Sequence, residues 1–150
     1  MIREATKEDY PAIEKHAKRF WEETVYHKEG IPYEDGSAIT YMDIAYNQGL
    51  LFVSEVDGEV VGFTAGATAP LLGSKNTYSG SEIAWWVDPE HRKSREGLEL
   101  LKALEEGAKE LGCSYWNMVS MQSSMPEQIE KVYKRMGYKH VETSYQKGIN

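Results

Sequence analysis

The spacing of apolar and polar residues divides this chain into alternating strand and helix periods. Residues 1–5 (MIREA) predict a short strand, and Thr6 with Asp9 three positions later gives a capping-box-like helix start. The apolar stripe of that helix runs Tyr10, Ile13, Ala17, Phe20, Trp21 and Thr24, which is helical spacing. Gly30 and Pro32 mark residues 27–35 as a loop. A second helix is expected over residues 37–48, with Ala38, Tyr41, Met42 and Ala45 on one face and Gly49 as its stop. Residues 50–56 (LLFVSEV) and 59–67 (EVVGFTAGA) read as strands joined at Asp57-Gly58, the strongest hairpin signal in the chain.

Residues 70–80 (PLLGSKNTYSG) read as a loop leading into a strand over 81–88 (SEIAWWVD). From Ser94 the period turns helical through Gly97, Leu101, Leu104, Ala108 and Leu111, and Gly112 ends it. Residues 113–121 (CSYWNMVSM) form the next strand. Ser124 and Glu127 predict a capping box for a helix over 126–136 that stops at Gly137. Residues 138–147 (YKHVETSYQK) suit a final strand or a tight pair. The order is β-α-α-β-β-β-α-β-α-β, an α/β (α+β) chain.

Composition narrows the function classes. A length of 150 residues is expected to make one domain, 1–150, with a real core. A net charge of −7 argues against nucleic acid, whose phosphates call for surplus Lys and Arg. The single cysteine, Cys113, excludes a disulfide framework and suits a reducing compartment. The first residues are too charged for a signal peptide, and the uncharged run 60–74 is short for a membrane span and broken by Pro70. The expectation is a cytoplasmic domain with no membrane partner. His16, His27, His91 and His140 lack metal-ligand spacing, so no metal is expected. Cys113 has no histidine near it in sequence and reads as a structural thiol.

In this acidic chain the stretch WWVDPEHRKSREGLELL, residues 85–101, stands out because its strand enters its helix through Arg92, Lys93 and Arg95. A helix's first turn carries unpaired N–H groups and partial positive charge, and so binds anions. Gly97 allows a backbone or ligand to come close. A pyrophosphate site is one reading. A solvated basic turn facing Glu90, Glu96 and Glu99 is the other.

The chain resembles the GNAT superfamily of N-acetyltransferases over nearly its full length. The resemblance rests on IREAT, VSEVDGEVVGF, EIAWWVDPEHRKSREGLELL and KVYKRMGY. It implies a mixed, mostly antiparallel sheet of six to seven strands flanked by four helices. In that family Val-x-Pro followed by [RQ]-x-x-G-x-[GA] marks the turn whose amides hold the pyrophosphate of acetyl-CoA. Here Val87-Asp88-Pro89 precedes Arg92, Lys93, Ser94, Arg95, Glu96 and Gly97, with Gly97 as the second motif glycine and Arg95 in place of the first. Arg95 either pairs with a phosphate oxygen or blocks the site. Trp86 and Val87 are implied to pair the pantetheine arm like an added strand, with the Val87 N–H as oxyanion donor.

Acetyl transfer needs an unprotonated amine, and a lysine-like amine titrates near ~10. The resemblance implies Glu82 as base and Tyr133 as the acid that protonates the departing thiolate. Read without it, Glu82 is an exposed strand residue and Tyr133 a packed aromatic with its hydroxyl at the rim. The family's usual Asn seven residues before the Tyr is Pro126 here, with Gln122, Ser123 and Ser124 nearby. Glu22, Glu23, Glu29, Glu34 and Asp35 against Lys28 would attract a cationic acceptor if that loop overhangs the site: a small amine, a lysine side chain or a protein N-terminus. The other reading is a non-catalytic GNAT-like module for CoA or protein binding. A homodimer is left open.

Overall fold

The computed structural model describes all 150 residues. They divide into two compact units, Met1–Val119 and Ser120–Asn150. The first opens with β1 (Ile2–Glu4), a 3-10 turn (Lys7–Asp9), α1 (Tyr10–Trp21), α2 (Val25–Lys28) and α3 (Ile39–Asn47). It continues with β2 (Leu51–Val56), β3 (Glu59–Leu71), β4 (Ser74–Val87), a second 3-10 turn (Pro89–His91), α4 (Glu96–Glu110) and β5 (Cys113–Asn117). The second unit holds α5 (Pro126–Arg135). No helix is long and apolar enough to cross a membrane.

The five strands form one sheet in the order β1-β2-β3-β4-β5, antiparallel except for the parallel β4–β5 pair. Alternation along β2 and β3 sorts side chains to two cores. Leu51, Val53, Phe63 and Ala65 pack with Ile13 and Ala17 of α1 and Met42 and Ala45 of α3. Phe52 packs with Val87 and with Leu100 and Leu104 of α4 on the opposite side. Local signals agree with this: the Asp9 carboxylate accepts the Thr6 N–H at 2.7 Å, and Asp57 and Gly58 turn the β2–β3 hairpin with φ of 51° and 81°.

Four expectations need correction. Residues 70–80 are not a loop: β3 and β4 run on as a ladder, with Leu71 opposite Ser74. Pro70 fits there because β2 pairs with β3 only as far as Ala65, so the outer edge of β3 has no strand neighbour beyond that point. The predicted last strand does not form, which leaves five strands rather than six or seven. Val141 and Tyr145, which alternation would set on one strand face, stay exposed and enter neither core. A fifth helix, α2, overlaps the start of the expected 27–35 loop at His27 and Lys28, capped when the Thr24 hydroxyl accepts the His27 N–H. The Ser124–Glu127 box is replaced by Met125 as the N-cap of α5, at φ 45°, with no side-chain cap bond.

Candidate active site

The site begins with an irregularity in β4. Ala65 of β3 faces Ala84 and Gly66 faces Glu82, so Ile83 is an extra residue with nothing opposite it. Glu82 and Val87 are five apart and would point to opposite faces of a regular strand. The bulge puts both on the face covered by α4, opposite Gly66 and Gly62. At the same place β4 loses its other neighbour. Its pairing with β5 runs from Tyr78–Cys113 to Ser81–Asn117 and stops. Before the stop the seam is tight: the Asn117 amide donates to Gly80 O at 2.9 Å, and the Trp116 indole lies on Gly66 and Gly80, where an added Cβ would come within 2.4 Å of the ring. After it, the edge of β4 is open.

Glu82 stands at that parting point. One of its carboxylate oxygens accepts the Val119 N–H at 3.0 Å, bridging the gap beyond β5. The residue keeps some surface open to solvent, but protein crowds the carboxyl group. That desolvation pushes its pKa up to about 7, and the Val119 N–H pulls the other way more weakly. It is thus poised to exchange a proton near neutral pH.

The open edge presents backbone groups. The Asp88 N–H donates to Val61 O at 2.9 Å, which makes Asp88–Val61 a bonded pair of the antiparallel ladder. Val87, one position earlier, therefore turns its N–H and C=O away from β3. Its carbonyl accepts the Arg92 Nε–H at 2.8 Å. Trp86 points to the other face, buried with its Nε1 unpartnered, edge-on to Phe20 at 6.0 Å and covered by the Arg92 guanidinium at 4.5 Å.

The turn residues divide by role. Arg92 is committed within the protein, since its Nη2 donates to Glu23 at 2.7 Å as well. Glu96 is committed too: its carboxylate receives the buried Ser54 hydroxyl and points away from the turn. Ser94 organises the turn by donating its hydroxyl to His91 O and accepting the Glu96 N–H. Lys93 is exposed, and Arg95, with 81% of its side chain exposed, reaches only Glu99 at 3.6 Å. Arg95 therefore leaves the turn unfilled. The amides of Arg95, Gly97 and Leu98 donate to no acceptor in the chain, as expected for the first turn of α4. The Gly97 carbonyl accepts the Trp85 Nε1–H at 2.9 Å, and a Cβ at Gly97 would sit 3.6 Å from Trp85 and Val87, in ordinary contact. The chain's own packing tolerates a side chain there. The amides and the space beside Gly97 fit an anionic group such as a diphosphate.

Tyr133 lies in the second unit. It is half-buried on α5, its ring 5.5 Å from that of Tyr138, and its carbonyl accepts the Tyr138 N–H at 2.9 Å. Sequence reasoning missed the links from α1 to the turn. Arg19 pairs with Asp88, and the buried His16 lies with Nδ1 3.2 Å from the same carboxylate and Nε2 2.6 Å from Val60 O. Arg19 and Asp88 are 69 positions apart, as are Glu23 and Arg92, so no local signal could have revealed these pairs. No group of three or more His, Cys, Asp or Glu side chains is arranged to hold a metal ion.

The chain belongs to the acetyltransferase (GNAT) family, whose sequence profile matches residues 7–138. No curated protein matches it. Among solved structures it is similar to a transcriptional regulator from Bacillus halodurans C-125, at 19% identity and TM-score 0.74 over 99% of both chains. It is similar to AAC(6')-Iy in complex with the bisubstrate analog CoA-S-monomethyl-acetylneamine, at 16% identity and TM-score 0.76 over 100% of this chain and 97% of that one. A ribosomal-protein-alanine N-acetyltransferase from Brucella melitensis biovar Abortus 2308 aligns at 17% identity and TM-score 0.73 over 99% of both chains. At these identities the likeness speaks for the fold.

Proposed function

We propose that this chain transfers an acetyl group from acetyl-CoA directly to a primary amine, with Glu82 as base and Tyr133 as acid. Glu82 takes one proton from the acceptor's ammonium so that the free amine can attack, and the Val87 N–H stabilises the negative charge that develops on the carbonyl oxygen; as the C–S bond breaks the Tyr133 hydroxyl protonates the departing thiolate, and its phenolate takes up the second proton that the nitrogen releases on becoming an amide. The amides of Arg95, Gly97 and Leu98, with Lys93 and Arg95 beside them, are assigned to the diphosphate of the donor. The observation that carries this reading is a carboxyl group brought to about 7 at the point where β4 and β5 part, next to the free backbone edge of β4.

The acceptor is assigned to the cationic amines. Glu22, Glu29, Glu34 and Asp35 are exposed around α2 and support this, while Glu23 is withdrawn from that set by Arg92. Relatives described as aminoglycoside and ribosomal-protein-alanine N-acetyltransferases also act on amines. The test is titration of the pure protein with acetyl-CoA, followed by thiol release with cationic, neutral and anionic amines. Saturable binding with turnover on the cationic set is expected; no binding would end the reading, and preference for anionic amines would end the acceptor assignment. Tyr133→Phe is expected to lower turnover about tenfold or more while leaving donor affinity nearly intact.

A further inference from the structure

Arg92 was expected to face phosphate, but its Nε, its Nη2 and its planar face are engaged within the chain. Nε donates to Val87 O at 2.8 Å, Nη2 donates to Glu23 Oε1 at 2.7 Å, and the guanidinium lies 4.5 Å from the centre of the Trp86 ring. Only about a quarter of either side chain is exposed, 23% for Arg92 and 27% for Glu23. Trp86 in turn packs edge-on against Phe20 of α1. A planar fork held on two sides and one face is a geometric part, and lysine cannot replace it.

The peptide that Arg92 grips is the last of β4. Its carbonyl belongs to Val87 and its N–H is that of Asp88, which closes the ladder on Val61 O. Asp88 is also held from α1 by Arg19, so a pair of opposite polarity fixes each end of this short segment. We propose that Glu23 and Arg92 form a latch on the Val87–Asp88 peptide, and that both are positioning residues for the Val87 N–H rather than ligands of the donor's diphosphate. Glu23 cancels the charge of Arg92, leaving the diphosphate to the amides, Lys93 and Arg95. The kinetic consequence rests on the acetyltransferase reading; the structural one does not.

The two roles predict opposite outcomes for Glu23→Gln. If Arg92 were a phosphate ligand, freeing it from Glu23 would tighten donor binding. If it is a latch, the variant slows turnover and leaves donor binding alone. Glu23→Gln, Arg92→Lys and the double variant would be studied as full chains. Amide hydrogen exchange at Asp88 would be read without donor, with kcat and acetyl-CoA Kd measured alongside. Each single variant is expected to lose about tenfold in Asp88 protection and about tenfold in kcat, the double no more than either, with Kd within about twofold. Unchanged Asp88 exchange, wild-type turnover in Arg92→Lys, or tighter acetyl-CoA binding in Glu23→Gln each overturns the latch. A wild-type protein that transfers no acetyl group sinks the functional reading instead, and Asp88 exchange then decides the latch by itself.

Discussion

The two halves of β4 share a strand but not a fate. From Tyr78 to Ser81 it is zipped to β5, with Trp116 pressed on Gly66 and Gly80 and Asn117 tied to Gly80. From Glu82 to Val87 it has β3 on one side and an open edge on the other. Ile83, the bulged residue between Glu82 and Ala84 with nothing opposite it, separates them. The difference teaches what the end of a ladder does: the sealed half supplies rigidity, and the open half presents a carboxylate and an outward-facing backbone edge, the groups that the proposed reaction uses.

That division can be tested from both sides. The largest effect is expected for Glu82→Gln, in the open half, which should reduce kcat about 10²-fold at neutral pH while leaving stability little changed. Wild-type activity should rise with pH through about 7 as Glu82 loses its proton, and the variant should lack that limb. In the sealed half, Gly80→Ala drives a Cβ to 2.4 Å from the Trp116 ring and should cost about 1–3 kcal/mol in chemical denaturation, with loss of activity only in proportion to unfolding. If Gly80→Ala cripples turnover in fully folded protein, or Glu82→Gln mainly unfolds the chain, the division fails.

Smaller effects sharpen the picture. Gly97→Ala has room for its methyl group, so the thermal midpoint should hold while acetyl-CoA affinity falls roughly three- to tenfold, because the methyl group occupies the approach to the α4 amides. The smallest effect concerns stability and pH. The Glu82 carboxyl titrates near 7 in the folded chain against an ordinary 4.5, so the folded state binds the extra proton. Its contribution to stability is complete below about 4.5 and is lost as pH rises through about 7. The midpoint difference between wild type and Glu82→Gln should therefore shift against the wild type across that window. A difference that is flat with pH would mean that Glu82 is not desolvated.

Much of this could be read from the chain because punctuation marks it. Asp57-Gly58 gave the hairpin, and the run from Val87-Asp88-Pro89 to Gly97 gave the strand-turn-helix junction. The bulge left no trace, since an extra apolar residue in IAWWV looks like any other strand residue. A regular strand would have set Glu82 and Val87 on opposite faces. The β3–β4 extension was hidden because Ser, Lys, Asn and Thr line its exposed end and carry no core-facing alternation. Basic residues at 92, 93 and 95 look alike in sequence. Only the fold brings Glu23 to Arg92 and leaves Arg95 exposed, reaching only Glu99.

The irregularity at Ile83 has a genetic side as well. It amounts to a single codon, and an in-frame loss of that codon would let the ladder pass Glu82 without interruption. Amino-acid exchanges at Ile83 that keep the backbone length should be tolerated far better than any change of length between Ser81 and Val87. Position 83 is therefore expected to vary among apolar residues in descendants of the gene, while the stretch around it holds its count of residues fixed.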